Sequence, residues 1–357
     1  PFALVLIALL WRSDRLPGRD TFVTSGLPPA PEPRRTIVVT RVLGAAGIIG
    51  LLVLDSDWRL GITVSAIAVI VSLSVIVLTG LVGQISLATY ALAGTAGFAM
   101  VRAGDELGIG FPLAPLLGVI VAVAIGTVAG LPAIRVRGLT LAVASLAAAV
   151  AVEELVFKWS WFAGGLAGSR AESPSLFGWD LGIAGPGSSF PRWQFGVLTI
   201  VLMFLCMVMV VNLRRSATGR QWLAVRANER AAEAVGISAP RVKLTANGVA
   251  AFLAGIAGTL IAYRVQSVSA GSFGALDSLV AVAIAYLAGI AAPAAALIAG
   301  ALAIGGVLTV ALDQLGDSAP EYQFALNGLL LIVAAVRFPS GILGTAGRLR
   351  RVVGSRS

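Results

Sequence analysis

LGITVSAIAVIVSLSVIVLTGLVGQISLATYALAGTAGFAMV, residues 60–101, runs for 42 positions without an Asp, Glu, Lys or Arg. As one helix it would rise roughly 63 Å at 1.5 Å per residue, twice a bilayer's hydrocarbon thickness of about 30 Å. The stretch therefore folds as two spans. The break falls most naturally at Gly80, Leu81, Val82, Gly83 and Gln84, where two glycines weaken the helix and a polar amide can face a crossing or a cavity. The same arithmetic applies from Ser278 to Leu312, 35 uncharged residues that would rise roughly 52 Å as one helix. That stretch is expected to break near Gly289 to Pro293.

The whole chain has this character. Its 357 residues are 58% hydrophobic and 12% charged, with a mean hydropathy of +0.94, where a water-exposed domain is about 25% charged. The expected fold class is all-α, a polytopic membrane protein of about ten transmembrane helices plus a partial N-terminal span, with broken or short helices. Spans are expected at 1–11 (incomplete), 42–54, 60–80, 86–103, 111–133, 138–157, 195–213, 244–263, 275–290, 293–312 and 323–338. With no His and one Cys, Cys206, inside an apolar run, the chain has no material for a disulfide, a His or multi-Cys zinc site, or a His-activated nucleophile.

The net charge of +9 rests on 26 cations, all Arg except Lys158 and Lys243. With segment 12–41 placed inside and the spans alternating, twenty cations fall on inner segments, and only Arg59, Arg102, Lys158, Arg170, Arg192 and Arg264 lie outside. This is the bias that sets membrane orientation, and it puts the C-terminus in the cytoplasm. The basic balance therefore reports topology, and nucleic acid is not expected as a partner.

Two loops are long. The outer loop, 158–192, is rich in Gly, Ser, Pro and aromatics, and reads as a lid or docking surface or as an aromatic belt anchoring helix ends. The inner loop, 213–243, carries a sharper signal. Asn228 is a good N-cap, Glu229 sits where the helix dipole favours an anion, and Gly236 is placed for the left-handed residue past the helix end. The spacing predicts a helix of about two turns, too short to be stable alone. Its Ala231, Ala232, Ala234 and Val235 could enter a groove on another protein, oriented by Arg226, Glu229, Arg230 and Glu233. A solvated connector resting on the bilayer fits the same residues.

Inside the spans, Glu153 and Glu154 are the acidic residues, with Glu154 four positions before Lys158, the favourable order for a helical ion pair. They read as a structural pair near the interface or as a polar wall along a substrate path. A proton-coupled carrier needs a mid-membrane relay of carboxylates or His, and the chain has almost none. Transport, if that is the function, must then draw its energy from elsewhere. The candidate path residues are Gly83, Gln84, Ser86, Gly289 and Pro293 at the breaks, with Glu153 and Glu154. Close packing of helices through small residues predicts the same glycines.

Gly83-Gln84-Ile85-Ser86-Leu87 leading into Ala91-Leu92-Ala93-Gly94, Leu131 to Ala142, the loop Gly219 to Ile237, and Arg337-Phe338-Pro339-Ser340-Gly341-Ile342-Leu343-Gly344 occur in order. Together they resemble the permease of branched-chain amino acid ABC importers, the LivM-type subunit, over roughly residues 40–345. The resemblance implies a membrane pathway with no catalytic site and no cofactor or metal of its own, in a multi-pass protein of the bacterial plasma membrane. It implies as partners two cytoplasmic ABC ATPases that bind the ATP, a sister permease half, an extracytoplasmic substrate-binding protein, membrane lipid and an amino-acid-like solute. It also makes Arg226, Asn228, Glu229, Ala232, Glu233 and Gly236 the helix that couples to an ATPase groove.

The family's late Gly-Gly and following Gly are only partly kept in Ala288-Gly289-Ile290-Ala291-Ala292-Pro293. Urea and amide permeases share the motifs, and an ion-coupled secondary transporter or a lipid-acting membrane enzyme is the rival class. The domain reading is 1–11 as the end of a preceding transmembrane unit, 12–41 as a cytoplasmic Pro/Arg-rich linker, 42–345 as the permease and 346–357 as a basic cytoplasmic tail. The resemblance of the first nineteen residues to the later basic Pro-Gly ending suggests the C-terminal part of a fused double permease.

Overall fold

The computed structural model describes residues 35–136, 138–157, 169–176, 179–185, 190–314 and 342–343. The expectations for 1–34, Lys158, the span 323–338 and the tail 346–357 lie outside these residues. The protein is an all-α polytopic membrane protein. Among the described residues five helices are long and apolar enough to cross a bilayer, Thr36–Val53, Ser56–Val82, Trp193–Arg215, Ala239–Val265 and Gly271–Ala288, and Leu113–Ala129 and Thr140–Val152 are shorter apolar helices.

In chain order the helices are α1 (Thr36–Val53), α2 (Ser56–Val75, continued as a π-helical turn Ile76–Val82), α3 (Thr89–Leu107), α4 (Leu113–Ala129) and α5 (Leu139–Val152, continued as a π turn Glu153–Phe157). Then follow α6 (Trp193–Arg215), α7 (Ala217–Ala227), α8 (Glu229–Ala234), α9 (Ala239–Val265), α10 (Ala275–Ala288), α11 (Ala295–Ala301) and α12 (Val307–Asp313). The longest, α9, packs against α2, α3 and α4 at the centre. There is no room for side chains at its tightest crossing, since a Cβ on Gly258 would lie 1.9 Å from the Ala93 carbonyl oxygen. Small residues let the backbones meet, the packing that holds helices together where lipid offers no hydrophobic drive. Val38, Val42 and Ile49 of α1 and Leu116 and Ile120 of α4 stay exposed, a surface suited to acyl chains.

Strands are minor. Ser169–Arg170 pairs antiparallel with Ser267–Val268, and Ser175–Leu176 with Trp179–Asp180. Both pairs fall between long helices, and an Arg192–Asp180 ion pair ties the second to the start of α6.

Several boundaries depart from the sequence reading, α9 among them, which begins at Ala239 and not near 244. Helix α1 begins at Thr36, not near residue 42, because Arg41 is accommodated over the Phe204 ring, 6.0 Å from its centroid. The first break lies at residues 83–88, at the later end of the expected window. The span expected at 293–312 is two helices separated at 302–306. There Gly305 has φ +74°, and the Val307 N–H donates to Ser65 Oγ of α2 at 2.9 Å, so a side chain replaces the lost helical bond.

Candidate functional site

The first break begins where the π turn of α2 ends in the left-handed Gly83, φ 81°. Residues 83–88 are non-helical; Gln84, Leu87 and Ala88 are buried while Gly83 and Ile85 are exposed, so the freed backbone groups of the buried residues need partners inside the bundle. The Gln84 N–H donates to the Leu78 carbonyl at 3.0 Å, and Thr79 Oγ1 donates to the Gln84 carbonyl at 3.1 Å. Ser145 Oγ of α5 accepts the Leu87 N–H at 2.9 Å, and Ser278 Oγ of α10 accepts the Tyr90 N–H at 3.0 Å. The Gln84 side chain is buried, and its Oε1 accepts from Asn247 Nδ2 at 3.3 Å. Its Nε2 has no partner among the described residues. Asn247 lies eight residues past the start of α9 at Ala239, roughly 12 Å along its axis. The extended segment therefore runs within the bundle, and α3 starts from its interior.

The second break, from Gly289 (φ 122°) to Ala294, joins α10 to α11. The π turn that leads into the first break meets the second break. A Cβ on Gly80 would stand 1.9 Å from the Ile290 carbonyl oxygen, so only glycine allows this approach. Gly83, Gln84, Gly289 and the neighbouring Pro293 are thereby brought to one region, and Ser86 flanks it with its Oγ accepting the Ala88 N–H at 3.4 Å.

The connecting segment 216–238 folds against that region as two helices. Ser216 caps α7, Trp222 is fully buried, and its Nε1 donates to Thr245 Oγ1 at 3.4 Å. At the end of α7 the half-buried Arg226 donates from its guanidinium to the Gly80 carbonyl. Burial, helped by the nearby Arg214, pulls the Arg226 pKa below its ordinary value. Asn228 Oδ1 accepts the Ala231 N–H at 3.1 Å and starts α8. The Gly236 N–H reaches the Glu233 carbonyl and the Ile237 N–H the Ala232 carbonyl, each at 3.0 Å, with Gly236 at φ 86°. That is a Schellman ending, both bonds closing carbonyls the helix leaves open.

Helix α8 is divided between anchor and outward face. Ala232 is buried, and Glu229 pairs with the buried Lys243 of α9, Oε1 to Nζ 2.8 Å. Arg230, Ala231, Glu233, Ala234 and Gly236 are exposed, as is Val235 at 75%. One turn further along α9, Asn247 Nδ2 donates to the Lys243 carbonyl at 2.9 Å as well as to Gln84. The outward-facing α8 is thus tied to the first break by two routes, Arg226 to Gly80 and Glu229 to Lys243 to Asn247 to Gln84.

The family described as "Branched-chain amino acid transport system / permease component" matches residues 59–335. The chain belongs to this family. The "High-affinity branched-chain amino acid transport system permease protein LivM" of Salmonella typhimurium is 30% identical over 299 residues, 79% of this chain and 68% of that protein. Its namesake from Escherichia coli is 30% identical over 321 residues, 83% of this chain and 74% of that protein. The "Ribose import permease protein RbsC" of Bacillus subtilis is 30% identical over 168 residues, 43% of this chain and 51% of that protein. No solved structure matches.

In this permease the remaining predicted residues occupy a different place. Glu153 lies in the π turn after α5, and its Oε2 accepts the Ala275 N–H at 3.1 Å, a carboxylate at the positive end of α10. It joins α5 to α10 at the far end of α10 from the second break. Glu154 beside it is exposed. Lys243 and Asn247, which complete the route from α8, are absent from the sequence reading, where Lys243 served only as a topology marker. The choice of Lys in a chain whose cations are otherwise almost all Arg is the one hint it carried.

Proposed function

We propose that this chain is the membrane-pathway subunit of an ATP-driven importer for branched-chain or related amino acids. It works beside a sister permease half in the bacterial plasma membrane, with α8 and the C-terminus on the cytoplasmic side. An extracytoplasmic binding protein delivers the solute, and two cytoplasmic ATPases bind and hydrolyse the ATP. The outward face of α8 is the coupling surface, seated in a groove of one ATPase, with Arg226, Asn228, Glu229, Ala232, Glu233 and Gly236 forming or supporting it. Gly83, Gln84, Ser86, Gly289 and Pro293 line or hinge the pathway, and Glu153 and Glu154 stand towards its outer end.

One observation carries this reading. The short helix that faces outward is bonded through Arg226 to Gly80, and Gly80 rests on the second break at Ile290. A displacement of α8 by a partner therefore acts on both discontinuous helices together, which is what alternating access requires of a gate without its own energy source. The test is uptake of labelled L-leucine into vesicles holding the whole importer. Uptake is expected to need internal ATP and the ATPases. Uptake that proceeds without ATPases and collapses with a proton or sodium gradient would establish an ion-coupled carrier instead. The partial similarity to sugar import permeases makes labelled ribose the second solute to assay.

A further inference from the structure

Helices α1 and α6 pack antiparallel at the edge of the bundle. A Cβ on Gly196 would meet Leu51 at 2.6 Å, and one on Gly47 would meet Ile200 at 3.1 Å. The same register sets Arg41 against Phe204, its guanidinium 6.0 Å from the ring centroid, and brings Arg35 level with Asn212. The outer side of this seam is apolar: Val42 and Ile49 of α1 and Val201 and Leu205 of α6 are exposed. Its charge is of one sign, since residues 35–54 and 193–228 hold six arginines and no Asp or Glu. Arg41 is exposed five positions into a helix apolar enough to cross a bilayer, roughly 7.5 Å past its start. Its side chain is held over Phe204, and no carboxylate pairs with it among the described residues. A charge at that depth is costly without an anion beside it.

We propose that the seam between α1 and α6 is a binding site for one anionic phospholipid of the leaflet on the α8 side. Arg41 takes the phosphate, whose oxygens match the guanidinium fork, and Arg35 adds positive charge at the level of the headgroup. The acyl chains lie along Val42, Ile49, Val201 and Leu205. A zwitterionic headgroup brings a cation that these arginines repel, so the seam selects net negative charge. The lipid would hold the helix from which the connecting segment hangs, because α6 runs through Ser216 directly into α7, whose Arg226 reaches Gly80. The inference goes beyond the importer reading and holds whatever solute the permease carries.

The test is titration of the delipidated full importer in detergent with dioleoyl phosphatidylglycerol and with dioleoyl phosphatidylcholine, following the first bound lipid by native mass spectrometry. The two lipids share their chains and differ in headgroup charge. Phosphatidylglycerol is expected to bind at least about fivefold more tightly, the effect of one arginine at the lipid surface. Arg41→Gln should bring the two lipids to within about twofold of each other, and Arg41→Lys, which keeps the charge, should retain most of the preference. Arg241→Gln removes an equal charge from an exposed position on α9 and should leave the preference as it is. Equal binding of the two lipids by the wild-type importer, as would follow if the sister permease covered the seam, overturns the proposal without depending on any variant folding. So does a preference that survives Arg41→Gln, or one that falls as far with Arg241→Gln, which would make it a property of net charge alone. Glycerol 3-phosphate, a headgroup without chains, should not compete, and competition at the lipid's own concentration would replace the lipid site with a soluble phosphate site.

Discussion

The Arg226 guanidinium donates to the Gly80 carbonyl across 146 positions of sequence. That carbonyl lies in the buried π turn that ends α2, and the guanidinium is its side-chain donor. The bond also joins the connecting helices to the gate. Replacing Arg226 by Gln removes a charged hydrogen bond worth roughly 1.5–3 kcal/mol. ATP-driven leucine uptake is expected to fall about tenfold or more, with ATP binding by the partner subunits unchanged. Uptake equal to wild type would show that this bond plays no part in coupling.

Gly80 offers a test of the crossing itself. Ala at this position must displace the Ile290 carbonyl, 1.9 Å from the new Cβ, a backbone group that cannot rotate away. Gly80→Ala should destabilise the protein by roughly 1–3 kcal/mol, the usual cost of overpacking, and lower the Tm in detergent. Gly248→Ala on α9 is the control. Its Cβ would meet only Thr127 Oγ1 at 3.8 Å, and the gain in helix propensity should raise stability by about 0.5–1 kcal/mol. Equal Tm for the two variants would mean that the π turn and the second break are not in contact.

What could be read from sequence followed the range of the interactions. Both breaks were legible because charge-free length sets a hard limit on one helix, and glycines mark where it yields. The ends of α8 were legible because Asn228 and Gly236 act on backbone groups within a few residues. Helix α7 was not, since its anchor is Trp222 buried against α9, a contact no local pattern encodes. The interruption at 302–306 was hidden for the same reason: its stabilising donor–acceptor pair, Val307 to Ser65, is separated by 242 positions. At the site, sequence singled out residues for the breaks and for α8, and the fold added Lys243 and Asn247. Each of those is a polar group whose meaning depends on a distant partner.

The Glu229–Lys243 pair makes the second route separable from the first. Its side chains are 16% and 5% exposed, so deleting one partner strands a buried charge, at a cost of roughly 3–5 kcal/mol. Lys243→Met alone and Glu229→Gln alone should each lower the Tm clearly. The double variant should recover much of that loss, because no unpaired charge remains. Leucine uptake by the double variant should stay below wild type, since of the two routes from α8 to the first break only the one through Arg226 then remains. Additive Tm losses across the cycle would contradict the ion pair.

Glu233 and Gly236 test the outward face of α8. Glu233 is exposed, so Glu233→Arg should leave insertion and Tm within about 0.5 kcal/mol of wild type, as surface changes usually do. At a charged docking face the reversal acts on the partner, and solute-stimulated ATPase activity is expected to drop about tenfold. Gly236→Val acts differently. A β-branched residue resists φ 86°, so the Schellman ending opens at a cost on the order of 1–3 kcal/mol and the end of α8 changes shape. Stimulated ATPase activity should fall here too, with basal activity of the ATPases retained and the chain still in the membrane. Both variants coupling like wild type would remove α8 as the point where the ATPases grip.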